Sequence, residues 1–207
     1  MTGPSRKLAL FDLDGTLTRK DTLIEIIRYI HGDTRLYLGL IFLSPYLLLF
    51  KMGIIANWKA KEAMLTYFFR HMPYDKFQKK CYQFSQDVLP GLIRVEGIKT
   101  LKRLREEDAR IVIVSASAEE WVLPWCELLS ISFIGTRLEV KDGKLTGKIS
   151  GRNCHGYEKV NRIRAELDLS RYSEIYAYGD SDGDLPMLQL ARHAYYRPFR
   201  NNPERPI

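Results

Sequence analysis

A short apolar run, Leu8 to Phe11, stops at Asp12-Leu13-Asp14-Gly15-Thr16-Leu17-Thr18, and no other junction constrains the fold as strongly. Four apolar residues in a row, bounded by polar ones, predict a buried strand. A strand apolar on both faces belongs in a parallel sheet covered by helices. Two carboxylates stand two residues apart at its C-terminal end. Continued alternation would send them to opposite sides; a strand that ends there, with Gly15 to bend the backbone, turns both toward one pocket. Such a pair offers one carboxylate as nucleophile or metal ligand and the other as proton carrier. An acidic strand-to-loop turn is the plainer reading of the same residues.

Three further apolar segments, Ile111–Ser115, Phe133–Thr136 and Ile175–Gly179, join Leu8–Asp12 as expected parallel strands. Helical patterns separate most of them: Ile98, Leu101 and Leu104 share one face, as do Val160, Ile163 and Leu167. Strands alternating with helices predict an α/β fold, a Rossmann-like parallel sheet with helices on both faces. Ligands of such sheets bind beyond the strands' C-terminal ends. Between Arg137 and Ser150 the period changes to two, around the turn Lys141-Asp142-Gly143-Lys144, which predicts a β-hairpin on the sheet's margin.

Residues 18–90 read as a helical insert between the first two core strands. Leu23, Ile26, Ile27 and Ile30 follow helical spacing, and Trp58, Leu65, Phe68, Phe69 and Met72 outline a second apolar face. The insert carries eleven Lys/Arg against six Asp/Glu, a net of +5, so most of the chain's +7 lies there. A basic balance suits acidic partners such as phosphorylated metabolites or anionic membrane. No reading motif for nucleic acid accompanies it, and nucleic-acid binding is not expected. Cys81, Cys126 and Cys154 form no CxxC pair and fit reduced thiols in a cytoplasmic protein. The apolar run after Arg6-Lys7 is too short for a signal peptide.

Leu36 to Phe50 is nearly all apolar. Fifteen helical residues reach roughly 22 Å against about 30 Å of hydrocarbon, and Pro45 would kink a longer span. A single crossing would also put Asp12 and the later strands on opposite sides of a membrane. Two readings stay open: a buried helical pair, or a re-entrant or surface-docking hairpin. Arg28, Arg35, Lys51, Lys59 and Lys61 around the stretch fit anionic lipid or a solvated rim equally.

Other clusters follow the strands. Ser115-Ala116-Ser117 precedes Glu119-Glu120 at a helix start and suits a helix cap or an anion site. Lys159 reads alone as a solvent-facing helix charge. Asp180, Asp182 and Asp184 follow the last expected strand; three carboxylates so close suit a hard cation such as Mg²⁺.

Taken in this order, Asp12-Leu13-Asp14-Gly15-Thr16, Ser115, Lys159 and Gly179-Asp180 to Asp184 resemble the haloacid dehalogenase (HAD) superfamily of phosphatases, in its phosphoserine phosphatase-like branch. Cys154 to Val160 and the apolar insert also resemble phosphatidylglycerophosphatase C and its relatives. The resemblance implies a HAD-like core over 1–17 and 91–207, and an all-helical C1-type cap over 18–90. It implies Asp12 as nucleophile forming an aspartyl-phosphate, Asp14 as acid and base, and Ser115 and Lys159 as phosphate ligands. Mg²⁺ would be held by Asp12, the Asp14 carbonyl and Asp180, with Asp184 supporting that shell or orienting Lys159. Asp21 and Arg70 would be substrate-selecting cap residues. The implied substrate is a small or lipid-borne phosphate monoester, phosphatidylglycerophosphate at a membrane being one form of it. Gly183 departs from the asparagine common in phosphoserine phosphatases, a change that concerns the substrate and not the chemistry. A phospho-ligand module with a decayed site is the non-enzymatic alternative, and every matched position keeps the residue type that catalysis needs.

Overall fold

The computed structural model describes residues 6–200; the ends of the expected core, 1–5 and 201–207, lie outside the described residues. The described strands form one six-stranded sheet in the order β4-β3-β2-β1-β5-β6. They are β1 (Lys7–Phe11), β2 (Arg110–Ala118), β3 (Ser132–Lys141), β4 (Lys144–Ser150), β5 (Glu174–Gly179) and β6 (His193–Tyr196). All neighbours pair in parallel except β3 and β4, which make the antiparallel hairpin. The hairpin's first arm is the outer half of one long strand, so the expected segments at Phe133–Thr136 and Leu138–Val140 are continuous. β6 is an edge strand that the sequence pattern did not reveal.

Alternation along the central strands divides the core in two. Ala9, Phe11, Ile111 and Ile113 face one layer, and Leu8, Leu10, Val112 and Val114 face the other. The first layer packs on α5 (Val95–Glu106) and α6 (Glu119–Leu128) through Leu101, Leu104, Trp121 and Val122. The second packs on α7 (Tyr157–Glu166) and the short α8 (Leu185–Leu188) through Ile163, Met187 and Leu188. Both faces of the sheet are thus dry.

Before α5, three helices and one short turn of helix follow β1: α1 (Thr22–Lys51), α2 (Asn57–Phe69), α3 (Tyr74–Asp87) and α4 (Leu89–Leu92). α1 is two helical stretches joined at a kink, at Gly32, whose φ of +79° and ψ of 168° are not helical. It runs through Pro45, so the break falls at Gly32 and not at the proline. Gly39 brings α1 against α2 so closely that a β-carbon there would meet the Phe68 ring at 2.3 Å.

The helical pair exists, but it is not buried. Ile41 is 69% exposed and Phe42 72%, with Leu38, Leu48 and Met52 also in the open. Nor is α1 a membrane span, although its length and apolar composition would allow one. β1 precedes it, β2 follows it, and the two are hydrogen-bonded neighbours, Leu10 beside Val112. The basic residues around the stretch also divide. Arg28 is paired with Glu25 and Asp33, and Lys61 turns inward to the core. Arg35, Lys51 and Lys59 remain exposed. Trp58, read as part of an apolar face, is 46% exposed.

Candidate active site

Three adjacent strands deliver the acidic and hydroxyl groups to one end of the sheet. Asp12 follows β1, Ser115 and Ser117 close β2, and Asp180 follows β5. Gly15 makes the convergence possible. Its φ is +83°, and a β-carbon there would stand 2.5 Å from an Asp180 oxygen, so both conformation and space demand glycine.

Lys159 is 1% exposed, not a solvent-facing charge. Its Nζ donates to Asp12 Oδ1 at 2.7 Å, to Asp184 Oδ1 at 2.7 Å and to the Val114 carbonyl at 2.8 Å. An ammonium has three protons, and all three are used. Burial alone would lower the lysine's pKa, but Asp12 and Asp184 outweigh it and push it up. Burial raises Asp12 to about 7, against the pull of Lys159. Thr16 donates to the other Asp12 oxygen at 3.0 Å.

Asp184 gives both oxygens to protein donors. Besides Lys159 it accepts from the main-chain N–H of Asp180 at 3.1 Å and of Ser181 at 3.0 Å, and from the Ser181 hydroxyl at 2.7 Å. It therefore supports the loop and the lysine. Those bonds and Lys159 hold its carboxyl below the usual range, although burial acts the other way.

Asp14 is fixed by an ordered chain of donors. The Trp121 indole donates to Thr22 Oγ1 at 3.1 Å; Thr22 and Ser117 hydroxyls are 2.7 Å apart; Ser117 donates to Asp14 Oδ2. Because indole only donates and Ser117 spends its proton on Asp14, Thr22 is the donor to Ser117. The Thr22 main-chain N–H meets the other carboxylate oxygen at 2.7 Å. Burial raises Asp14 to about 6, with Asp21 adding to the rise and these hydrogen bonds opposing it.

Ser115 and Ser117 do not cap α6, whose N-cap is Ala118 with no side-chain bond. The Ser115 oxygen accepts from the Ser117 N–H at 3.0 Å. Asp21 caps α1, accepting from Leu23 and Ile24 N–H at 2.9 and 3.2 Å. Arg70 is exposed, and among the described residues its guanidinium makes no hydrogen bond or ion pair. Cys154 is buried in the second core layer and burial pushes its thiol up to about 11, so it packs and is not poised to react.

Residues 9–189 match the haloacid dehalogenase-like hydrolases. The chain belongs to that family. It is 33% identical to protein CicA of Caulobacter vibrioides over 95% of this chain and 88% of that protein. It is 26% identical to a phosphoserine phosphatase of Methanocaldococcus jannaschii over 90% of this chain and 82% of that one. Among solved structures, a protein of unknown function from Bordetella pertussis superposes with a TM-score of 0.77 and 24% identity, covering 91% of this chain and 88% of that one. The enzyme is a phosphatase of the HAD type.

The donor set suits a hard cation. Carboxylate oxygens of Asp12, Asp180 and Asp184 lie within 4.8 Å of one another. With Asp184 committed to protein donors, Asp12 and Asp180 are the carboxylates with capacity to spare. Thr16, 3.4 Å from Asp180 Oδ1, and Arg200 contact Asp180.

Thr22, Trp121 and Lys61 were not identified as site residues from sequence, and Ser117 only as part of the Ser115-Ala116-Ser117 cluster. Their spacing carries no signal, since they meet only through the fold. Lys61 of this phosphatase reaches the Ala116 carbonyl at 2.7 Å and Asn153 Oδ1 at 3.1 Å.

Proposed function

We propose that the chain is a Mg²⁺-dependent phosphomonoester hydrolase that works through an aspartyl-phosphate on Asp12, with a small or lipid-borne phosphate monoester as substrate. The supporting observation is the meeting of Asp12, Lys159 and Asp184 beside Asp14 and Asp180, at the C-terminal ends of adjacent strands. In this reading an Asp12 carboxylate oxygen bonds to phosphorus as the ester bond to the alcohol breaks. Asp14 gives the departing alcohol its proton, and then takes one from the water that releases phosphate. A carboxyl held at about 6 suits both transfers near neutral pH. Ser115 meets a phosphoryl oxygen, and Lys159 meets another by exchanging its bond to Asp12 as that carboxylate attacks, where developing charge needs fixed partners. Asp12, Asp180 and the Asp14 carbonyl are the ligands proposed for Mg²⁺, which when bound would neutralise phosphoryl charge. The helices α1 to α3, within 18–90, act as the cap over this centre.

Phosphate release should therefore require Mg²⁺ and fall to background in EDTA, over a panel of phosphoserine, sugar phosphates, nucleotides and phosphatidylglycerophosphate. Release undiminished in chelator removes the metal. No release from any member removes the phosphatase reading.

The exposed arm favours the lipid-borne form of the substrate. Tyr37, Ile41 and Leu48 lie on one side of α1, and Leu38, Phe42 and Leu49 lie about 100° around it. A flat protein partner covers one face of a helix, whereas hydrocarbon covers both. Exposed Arg35, Lys51 and Lys59 flank the apolar segment, and Lys59 sits over the Trp58 ring at 5.5 Å. Basic and indole groups so placed suit the anionic interface of a membrane. All three cysteines are free thiols, which fits the reducing, inner side. The protein should co-sediment with phosphatidylglycerol vesicles, and Ile41→Asp with Phe42→Asp should weaken partition by at least about 10-fold, given about 1.5–3 kcal/mol per buried large side chain. Wild-type protein left in the supernatant, or a stable dimer that covers the arm, counts against membrane contact.

A further inference from the structure

The hydrogen-bond chain from Trp121 to Asp14 crosses the main division of the molecule. Trp121 stands on α6 and Ser117 near the end of β2, both in the core, whereas Thr22 opens α1 of the helical insert. All three are buried. Bulk water therefore cannot replace a donor that is removed. In such a low-dielectric place each bond is strong, and linked bonds polarise one another.

The chain has one direction. An indole N–H donates and never accepts, so Thr22 Oγ1 takes that proton at 3.1 Å and turns its own toward Ser117, 2.7 Å away. Ser117 in turn spends its proton on Asp14 Oδ2. The Thr22 main-chain N–H closes the other side, on Oδ1 at 2.7 Å. Asp14 thus carries one fixed donor on each oxygen. These two bonds set the plane of the carboxyl, and a proton that Asp14 is to hand over sits only at a lone pair they leave free. Reversing Ser117, so that it accepted from Asp14, would send its proton to Thr22. The Thr22 oxygen would then accept twice, and its own buried proton would lose its acceptor, which is costly. The indole is the fixed end that keeps both hydroxyls pointing at Asp14.

We propose that Ser117, Thr22 and Trp121 are positioning residues for proton transfer: through this one-way relay they aim Asp14 at the departing alcohol, so that a core tryptophan and the first residue of α1 both act on breakage of the ester bond. This rests on the phosphatase reading above. In the step concerned, the bond from phosphorus to the ester oxygen breaks as an Asp12 oxygen bonds to phosphorus. The electron pair stays with the ester oxygen, and Asp14 gives that oxygen its proton and becomes a carboxylate. The relay transfers nothing; its three donors keep their protons throughout.

A substrate that does not need the proton separates this role from a structural one. p-Nitrophenolate departs as a stable anion, whereas an alkoxide must be protonated as it leaves. The quantity to follow is the first step, read in a single turnover with Mg²⁺ as phosphoryl label on the enzyme after rapid quenching. The two donors are p-nitrophenyl phosphate and the alkyl phosphate of the panel above that wild type turns over fastest. Ser117→Ala and Thr22→Val should slow labelling by the alkyl ester about 10- to 100-fold, part of the roughly 10²–10⁴ that a positioned acid contributes, and leave labelling by the aryl ester nearly unchanged. Trp121→Phe, one bond further away, should show the same split with a smaller loss of about 3- to 10-fold. Thr22→Ser keeps the hydroxyl and should label as wild type does. Thr22→Val keeps both the volume and the main-chain N–H, so it carries the test if Trp121→Phe, which shrinks a large core ring, folds poorly. Equal losses on both esters, or no loss on the alkyl ester, overturn the proposal, and so does a wild type labelled by the aryl ester alone. No label from either ester removes the phosphatase reading itself and the proposal with it.

Discussion

Asp12→Asn should reduce kcat on the order of 10⁴-fold or more while the protein stays folded. The amide keeps the shape of the carboxylate: its oxygen can still accept from Lys159, and its NH2 can donate to the Thr16 hydroxyl, which in the native residue reach the two carboxylate oxygens at 2.7 and 3.0 Å. It cannot serve as the attacking oxyanion. The loss should appear as a missing acid-stable but alkali-labile phosphoryl label after quenching, not only as a slower rate. Circular dichroism and melting should resemble wild type, because burial already disfavours the charge at Asp12 and holds its pKa at about 7. A variant with wild-type turnover would mean that phosphorus is attacked by another group.

Lys159→Met should cost stability as well as activity. It removes the partner that Asp12 and Asp184 share at 2.7 Å and leaves two buried carboxylates facing each other. Breaking a buried ion pair on one side costs about 3–5 kcal/mol. The variant will lower that cost by keeping a proton on one carboxyl, so the loss depends on pH. A carboxyl whose folded pKa lies above its unfolded value of about 3.9 gains nothing at low pH and loses stability as pH rises through the folded value. Asp12 is already raised in the native protein, and without Lys159 it rises further. Urea titrations should therefore show a larger wild-type-to-variant gap at pH 8 than at pH 5.5. A gap that does not change with pH would assign Lys159 a packing role.

The strands that build this site were readable because each is a short apolar run ending in groups that chemistry can use. Leu8 to Phe11 before Asp12, and Ile111 to Val114 before Ser115, carry both signals at once. β6 carries neither. His193 to Tyr196 are all half-buried at the sheet's edge, so no alternation marks them. The outline of α1 was hidden for a different reason. Gly32 and Pro45 are both helix breakers by composition, and packing on α2 through Gly39 and Phe68 overrides the second but not the first. The exposure of Ile41 and Phe42 is equally unreadable, since an apolar run looks the same whether protein, lipid or nothing covers it. Lys61 and Lys159 show the limit most sharply. Each is a helix lysine in a charged neighbourhood, and only the tertiary fold buries one in carboxylates and hangs the other from neutral carbonyls.

α1 begins at the acid and ends in the open. Thr22, its first residue, grips Asp14, and Lys51 lies twenty-nine residues on. Between them stands Gly32, at φ +79° and ψ 168°, a conformation that side-chain-bearing residues hardly enter, with nothing within 4 Å of where a side chain would begin. The rod is therefore bent at that joint, and the exposed far half does not continue the axis along which the near half holds Asp14.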